Sequence, residues 1–333
     1  MKLCIVGSSG HYHYVLNPLR FNRNLNIDIV GISAGSQGEQ IDKVYKEVVD
    51  LGYKPEVFDD YRKMFDKLHP DIAVINCFFG DLASVSIEAL KRGINIFTEK
   101  PVATTLEDLE KLESIYHNLN NKPLFVAMFG IRYKPWFLTA YKCVKNGSIG
   151  EIRLLNAQKS YKLGERDDFY KTRKSYGGTI PWVGSHGVDW IRWFSNQKFL
   201  SVYATHSKKH NNNHGDLEVS ALCHFTLSNE VFASLTIDYL RPNNAPTHDD
   251  DRLRVVGTKG IIEVINNKVL LIDDDITGVR EVPLEQEGSI FLDFLKELEG
   301  KGKCLIRPED SFEVTRICLK ALQSADEQRV FYL

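Results

Sequence analysis

Glu99-Lys100-Pro101 sets an acid, an amine and a conformationally restricted residue directly after Ile94-Asn95-Ile96-Phe97-Thr98, a short apolar run that reads as a buried strand. A lysine at the carboxyl end of such a strand points into the crevice where open α/β sheets bind ligands, and the proline aims it by limiting the backbone. A second constellation lies far along the chain, in Gly177-Gly178-Thr179-Ile180-Pro181-Trp182-Val183-Gly184-Ser185-His186-Gly187-Val188-Asp189. On a helix His186 and Asp189 share a face, with Trp182 and Trp193 near the same stripe. An imidazole with a carboxylate one turn on can move a proton near neutral pH. The same spacing also suits a histidine packed among tryptophans on an amphipathic helix.

The elements that must position Lys100 alternate in type. Leu3 to Val6, Ile27 to Ser33, Val57-Phe58, Asp71 to Asn76, Ile94 to Thr98 and Leu124 to Met128 read as strands. Ser84 to Arg92 reads as a helix closed by Gly93, and Thr105 opens another with early acids at Glu107 and Asp108. Buried strands alternating with helices imply parallel βαβ units with right-handed crossovers. Residues 1–122 are therefore expected to form a doubly wound domain. Residues 123–333 change character. Runs at 151–159, 200–206, 218–227, 231–240, 253–256, 261–265 and 268–272 have strand character with short links. Ser228-Asn229-Glu230 and Asn266-Asn267 read as hairpin turns. This predicts an α+β domain on a large, mostly antiparallel open sheet, with helices before the sheet, between its strands at 184–194 and after it at 289–298 and 308–325.

Gly7-Ser8-Ser9-Gly10-His11-Tyr12 follows the first strand, where glycines let a backbone approach a pyrophosphate at a helix N-terminus. Gly7 holds the first place of a G-x-G-x-x-G pattern, Ser9 the second and Tyr12 the third, while Gly10 is off the pattern. The acid that usually takes the ribose 2′-hydroxyl is missing, for Ser33, Ala34 and Ser36 stand at the end of the second strand. A neutral, hydroxyl-bearing end tolerates a 2′-phosphate, so both NAD and NADP stay open.

With 43% hydrophobic and 26% charged residues and a net charge of −2, the chain has no global field that would point to nucleic acid or a membrane surface. Six scattered cysteines, several inside apolar runs, argue for a reducing, cytoplasmic compartment rather than a disulfide framework. No apolar stretch is long enough to span a bilayer. Tyr161, Lys162, Arg166, Lys171, Arg173 and Lys174 cluster before the Gly-Gly turn. They suit either an anionic substrate group or a solvated loop balanced by Glu165, Asp167 and Asp168. His206, His210, His214 and His248-Asp249-Asp250-Asp251 lack tight ligand spacing, so no metal is expected.

These residues resemble those of the Gfo/Idh/MocA oxidoreductases, and the resemblance spans the whole chain. Glu99-Lys100-Pro101 matches the family's Glu-Lys-Pro signature, and Arg132-Tyr133-Lys134-Pro135 its Arg-x-x-Pro segment. Gly147-Ser148-Ile149-Gly150-Glu151 is similar to the start of the family's large sheet, and Gly177-Gly178 through Asp189 to its histidine helix. Gly257-Thr258-Lys259-Gly260 and the helix opened by Pro308-Glu309-Asp310 also fit. The resemblance implies a Rossmann domain that binds NAD or NADP. It implies hydride transfer to or from a secondary alcohol or ketone of a sugar, polyol or related metabolite. Separately, the open antiparallel sheet leaves one face uncovered by helices, which predicts a homo-oligomer, a dimer or tetramer. Carried over, Lys100 hydrogen-bonds the reacting oxygen, His186 is the acid/base and Asp189 supports it. The cofactor would meet Gly7, Ser8, Ser9, Gly10 and His11 in the turn, Ser33 and Ser36 after the second strand, and Asn76, Cys77 and Phe78 after the fourth. Glu99 and Lys100 would complete that set. The substrate would meet Lys100, Arg132, Tyr161, Lys171, Arg173, Trp182 and His186. Three positions depart from the pattern. Trp182 replaces the first acid of the helix motif, Phe78-Phe79 replace a Pro-Asn pair, and Leu82 stands for a histidine. They keep a second reading open, a non-catalytic relative that senses a metabolite or nucleotide.

Overall fold

The computed structural model describes residues 1–22, 24–275 and 277–333, and the chain divides into two compact units. The first holds Met1–Gly130, Lys174–Gly177 and Ser289–Thr315. Its elements alternate as the apolar pattern dictates: β1 (Lys2–Val6), α1 (His13–Phe21), β2 (Asp28–Ser33), α2 (Asp42–Asp50), β3 (Glu56–Phe58), α3 (Tyr61–Leu68), β4 (Ile72–Ile75), α4 (Leu82–Leu90), β5 (Asn95–Thr98), α5 (Leu106–Asn118) and β6 (Phe125–Ala127). All six strands pair in parallel, in the order β3-β2-β1-β4-β5-β6. Leu3 to Val6 and Ile72 to Ile75 are wholly buried, and each such aliphatic side chain contributes about 1.5–3 kcal/mol. The order reverses between β1 and β4, which marks the crevice at their carboxyl ends. The ends of the helices follow local chemistry. The Thr105 hydroxyl accepts from the Asp108 N–H at the start of α5, and Gly93 takes a φ of 69° after α4. The returning segment Ser289–Thr315 brings Phe291 and Phe294 against Phe97 of β5.

The second unit holds Ile131–Arg173, Gly178–Gly288 and Arg316–Leu333. It contains α6 (Pro135–Lys145), β7 (Ile152–Tyr161), the start of a short α7 (Arg173–Tyr176), α8 (Ser185–Ser195), β8 (Phe199–Ser207), β9 (Ser220–Leu227), β10 (Val231–Asp238), β11 (Asp249–Gly257), β12 (Gly260–Ile265), β13 (Lys268–Asp273), β14 (Arg280–Glu281) and β15 (Phe331–Tyr332). The nine-stranded sheet runs β14-β13-β12-β11-β7-β10-β9-β8-β15. Only the β7–β10 pair is parallel, so the sheet is mostly antiparallel as its short links require. Asn266 and Asn267 both take positive φ, which a tight hairpin with primed geometry needs and asparagine tolerates. Burial alternates strictly along β9 and β10. Leu154, Tyr203, Leu222 and Phe232 stay exposed at alternate positions.

One strand begins earlier than its apolar pattern suggests. β11 starts at Asp249 rather than Leu253, and the acidic run Asp249-Asp250-Asp251 pairs with Tyr161, Ser160 and Lys159 of β7. Cations make acids tolerable there. Lys159 Nζ lies 2.5 Å from Asp251, and Arg241 and Arg252 both reach Asp250.

Candidate functional site

In the first unit the turn after β1 is built by close packing. Gly7 has a φ of 87°, and a Cβ on it would lie 2.4 Å from the Cys77 amide nitrogen, so only glycine lets the turn approach the end of β4. Ser9 N–H donates to the Asn76 carbonyl at 2.6 Å. Tyr12 resolves the misfit at the third place of the pattern by turning its ring inward. Its hydroxyl donates to Glu47 of α2 at 3.0 Å, and α1 begins at the next residue. Gly10, off the pattern, has its own reason. At a φ of 73° a Cβ would sit 2.1 Å from Glu99 Oε2.

Glu99 is fully buried and ties three parts of this region together. Its Oε2 accepts from the His11 N–H at 2.5 Å and pairs with His11 Nδ1 at 2.8 Å, while Oε1 accepts from the Lys100 N–H at 2.8 Å. Burial pushes its carboxyl up, but the His11 ring and the Lys100 ammonium outweigh that and hold it below the ordinary carboxylate range. Lys100 is itself wholly buried just past the end of β5, and its bond to Pro101 is cis. Asn76 and Cys77 are buried at the end of β4, and burial raises the Cys77 thiol far above its usual value, which removes it as a nucleophile. Phe78 N–H donates to Ser36 Oγ at 3.1 Å, and Ser33 Oγ donates to the Ala34 carbonyl.

Glu39 is the residue that reading strand ends does not find. It lies in the loop between β2 and α2 and is only 7% exposed. Its Oε1 accepts from Ser8 N–H at 3.0 Å and Ser9 Oγ at 3.1 Å, and its Oε2 from Gly35 N–H at 3.1 Å and Ser36 N–H at 3.3 Å. Burial pushes this carboxyl up, against the pull of those hydrogen bonds. The available signal was an acid in the loop after the second strand, displaced from the strand end where the ribose acid usually sits.

A dinucleotide fits this unit. The turn's close approach to β4 depends on Gly7, an acid, Glu39, is held at the end of β2 beside that turn, and among the described residues Asn76 Oδ1 is a buried acceptor with no hydrogen-bond partner. Among the described residues no group of three or more His, Cys, Asp or Glu could hold a metal ion, and no helix is long and apolar enough to cross a membrane.

The second unit holds the histidine. A single wide turn, Ile180–Gly184, leads into α8, where His186 and Asp189 are each 1% exposed. The His186 ring stacks toward Trp190 at 6.4 Å between centroids. Asp189 is engaged by Arg132, itself 2% exposed, through Nε at 2.9 Å and a second guanidinium nitrogen at 2.5 Å. The Arg132 guanidinium also lies 5.2 Å from the Trp193 ring centroid. This forked pair pins α8 to the segment before α6. Trp182 is buried and meets the Tyr170 ring edge-on.

The basic cluster separates. Arg173 donates to Glu218 and to Asp326, and Glu218 in turn accepts from Thr179 N–H at 2.9 Å, so Arg173 anchors the start of the histidine segment. Lys171 pairs with Asp168 on the surface. Tyr161 lies beside Tyr239 and His248, and burial, with Asp251 and Asp249 nearby, pushes its phenol well above the ordinary value. Lys159 was not singled out by spacing. It is wholly buried, with Nζ 4.5 Å from the Tyr161 ring centroid and 5.8 Å from that of Trp190. Burial raises the Asp251 carboxyl even with this ammonium beside it.

Residues 1–128 match the oxidoreductase family with an NAD-binding Rossmann fold, and residues 137–263 match the GFO/IDH/MocA C-terminal domain. A Thermotoga maritima structure, whose description proposes an oxidoreductase and names no substrate, is 55% identical over the whole of both chains with a TM-score of 0.95. A levoglucosan dehydrogenase solved with NADH and L-sorbose shares the fold at 17% identity, with a TM-score of 0.83 over 100% of this chain and 98% of that one. Inositol 2-dehydrogenase of Pseudomonas fluorescens (strain SBW25) is 24% identical over 173 residues, 51% of this chain and 48% of that protein. The match spans about half the length of such curated relatives. With both domain matches in chain order on this pair of sheets, the chain belongs to the Gfo/Idh/MocA oxidoreductase family and carries its NAD-binding Rossmann domain.

Proposed function

We propose that the protein is an NAD(P)-dependent dehydrogenase or reductase that interconverts a secondary alcohol and a ketone of a sugar, polyol or related metabolite. The observation that carries this reading is Lys100. It is a wholly buried lysine just past the end of β5, whose backbone N–H donates to the carboxylate that also holds the turn after β1. The nicotinamide, when bound, supplies or accepts the hydride. The turn Gly7–His11, the segment after β2 and Asn76 hold the dinucleotide. Lys100 hydrogen-bonds the reacting oxygen and stabilises negative charge on it. His186 takes or returns its proton. Arg132 acts through Asp189 by fixing α8, and Arg173 through Glu218 by fixing its start. Trp182, Tyr161 and Lys171 complete the proposed substrate surroundings.

Titration of NADH and NADPH fluorescence tests the first half of the reading, and turnover across a sugar and polyol panel tests the second. Lys100→Ala should abolish turnover, a loss of at least about a thousandfold, while cofactor affinity changes little. Absence of binding to any nicotinamide form sinks the proposal. Tight binding with no turnover on the panel favours the sensing relative, for which Trp182 at the place of the family acid is the motivating residue.

The exposed Leu154, Tyr203, Leu222 and Phe232 of the large sheet support association of copies into a dimer or tetramer. A monomer by light scattering at micromolar concentration rejects that. Cysteines that stand as free thiols suit the cytoplasm, which fractionation of the source cells would check.

A further inference from the structure

Three backbone N–H groups from two different turns converge on one point. Ser8 belongs to the turn after β1, Gly35 and Ser36 to the turn after β2, and the Ser9 hydroxyl joins them. β1 and β2 are parallel neighbours, with Val6 opposite Ser33, so their carboxyl ends deliver both turns to the same place. A cluster made only of donors is an anion cradle. Its occupant is the chain's own Glu39, and all four of its partners are neutral N–H or O–H groups. The backbone N–H of Glu39 donates to the Ser36 carbonyl, so a short turn holds the residue over the cradle.

This has a consequence for the cofactor. The end of β2 carries serines and alanine, and by itself would tolerate a 2′-phosphate. Such a phosphate needs the donors that Glu39 already uses, and it carries the same sign of charge. A free 2′-hydroxyl can instead donate to the Glu39 carboxylate. We infer that Glu39, reaching back from the loop beyond Ser36, is the residue that selects NAD over NADP, by filling the cradle a 2′-phosphate would need. The inference rests on the NAD(P)-dependent reading above and sharpens it to one cofactor.

Fluorescence titration of NADH and NADPH into the intact protein, Glu39→Gln and Glu39→Ala tests it. The unsubstituted protein should bind NADH at least about tenfold more tightly than NADPH, since a like charge at contact is strongly disfavoured. Glu39→Gln keeps the shape, removes the charge and should shrink that ratio by about tenfold, mainly by improving NADPH. Glu39→Ala empties the cradle. Without any nucleotide, inorganic phosphate should then raise its melting temperature more than that of the unsubstituted protein. Equal affinity for the two nucleotides in the unsubstituted protein overturns the inference. So does a ratio unmoved by Glu39→Gln, or a phosphate response that is the same in Glu39→Ala and the unsubstituted chain. These failures leave the dehydrogenase reading standing. Failure of the unsubstituted protein to bind either nucleotide overturns both.

Discussion

The turn after β1 is gripped by two carboxylates from opposite sides, and they behave in opposite ways. Glu99 is fully buried, yet its carboxyl is held below the usual range by the His11 ring at 2.8 Å and the electrostatic pull of Lys100. Glu39 is nearly as buried but has only neutral donors, and its carboxyl is pushed up. At Glu39 the hydrogen bonds from neutral donors do not offset the desolvation, whereas at Glu99 the electrostatic pull of His11 and Lys100 does. Glu99 is thus a strut that stabilises the fold. Glu39 is a buried carboxylate whose charged form is held at a cost.

The largest expected effect comes from breaking the strut. Glu99→Gln removes the buried charge that pairs with His11 and accepts the Lys100 N–H, and should destabilise the protein by about 3–5 kcal/mol. Chemical denaturation would read this as a lower unfolding midpoint, and an unchanged midpoint would show that Glu99 is no strut. Next comes a contrast between two glycines. Gly10→Ala forces a side chain into a left-handed backbone and onto Glu99, whereas Gly38, next to Glu39, has nothing within 4 Å of its Cβ position. Gly38→Ala should therefore cost only the backbone penalty of about 1–2 kcal/mol, and Gly10→Ala clearly more. Equal losses would mean that Glu99 yields freely.

The smallest effect has the most informative sign. Glu99 has a depressed pKa, so its stabilisation is present above the ordinary carboxylate value and is lost as pH falls through its own lower value. Glu39 has a raised pKa, so its favourable contribution is complete below the ordinary value and is lost as pH rises through its own higher one. At neutral pH Glu99→Gln should melt below the unsubstituted protein, and Glu39→Gln should melt level with or slightly above it, by at most about 1 kcal/mol. Both differences should fade in acid. Melting curves collected between neutral pH and about pH 4 decide this, and a neutral-pH loss for Glu39→Gln that fades in acid would refute the contrast.

Most of the fold is legible along the chain, because strand and helix periods are local properties. The runs ending at Val6, Asn76 and Thr98 lie in or abut β1, β4 and β5, and Asn266-Asn267 announces its hairpin by residue type alone. Less legible were features in which a distant charge changes what a segment can do. Asp249-Asp250-Asp251 looks like loop and becomes strand because Lys159, Arg241 and Arg252 neutralise it. α6 is expected before the large sheet but without bounds, although Pro135 at its first position is a local signal.

The sequence by itself determined the alternation of elements, the place of Lys100 just past the end of β5, the helix that carries His186 and the family these imply, since each rests on neighbours within a few positions. Only the tertiary structure decided what the polar residues do. It commits Arg132 to Asp189 and Arg173 to Glu218, makes Gly10 obligatory because Glu99 fills the space of its Cβ, and supplies from Glu39 the acid that the end of β2 lacks. The reason is physical. Burial and ion pairing are set by groups from separate strands meeting in space, and sequence spacing carries no record of which of them meet.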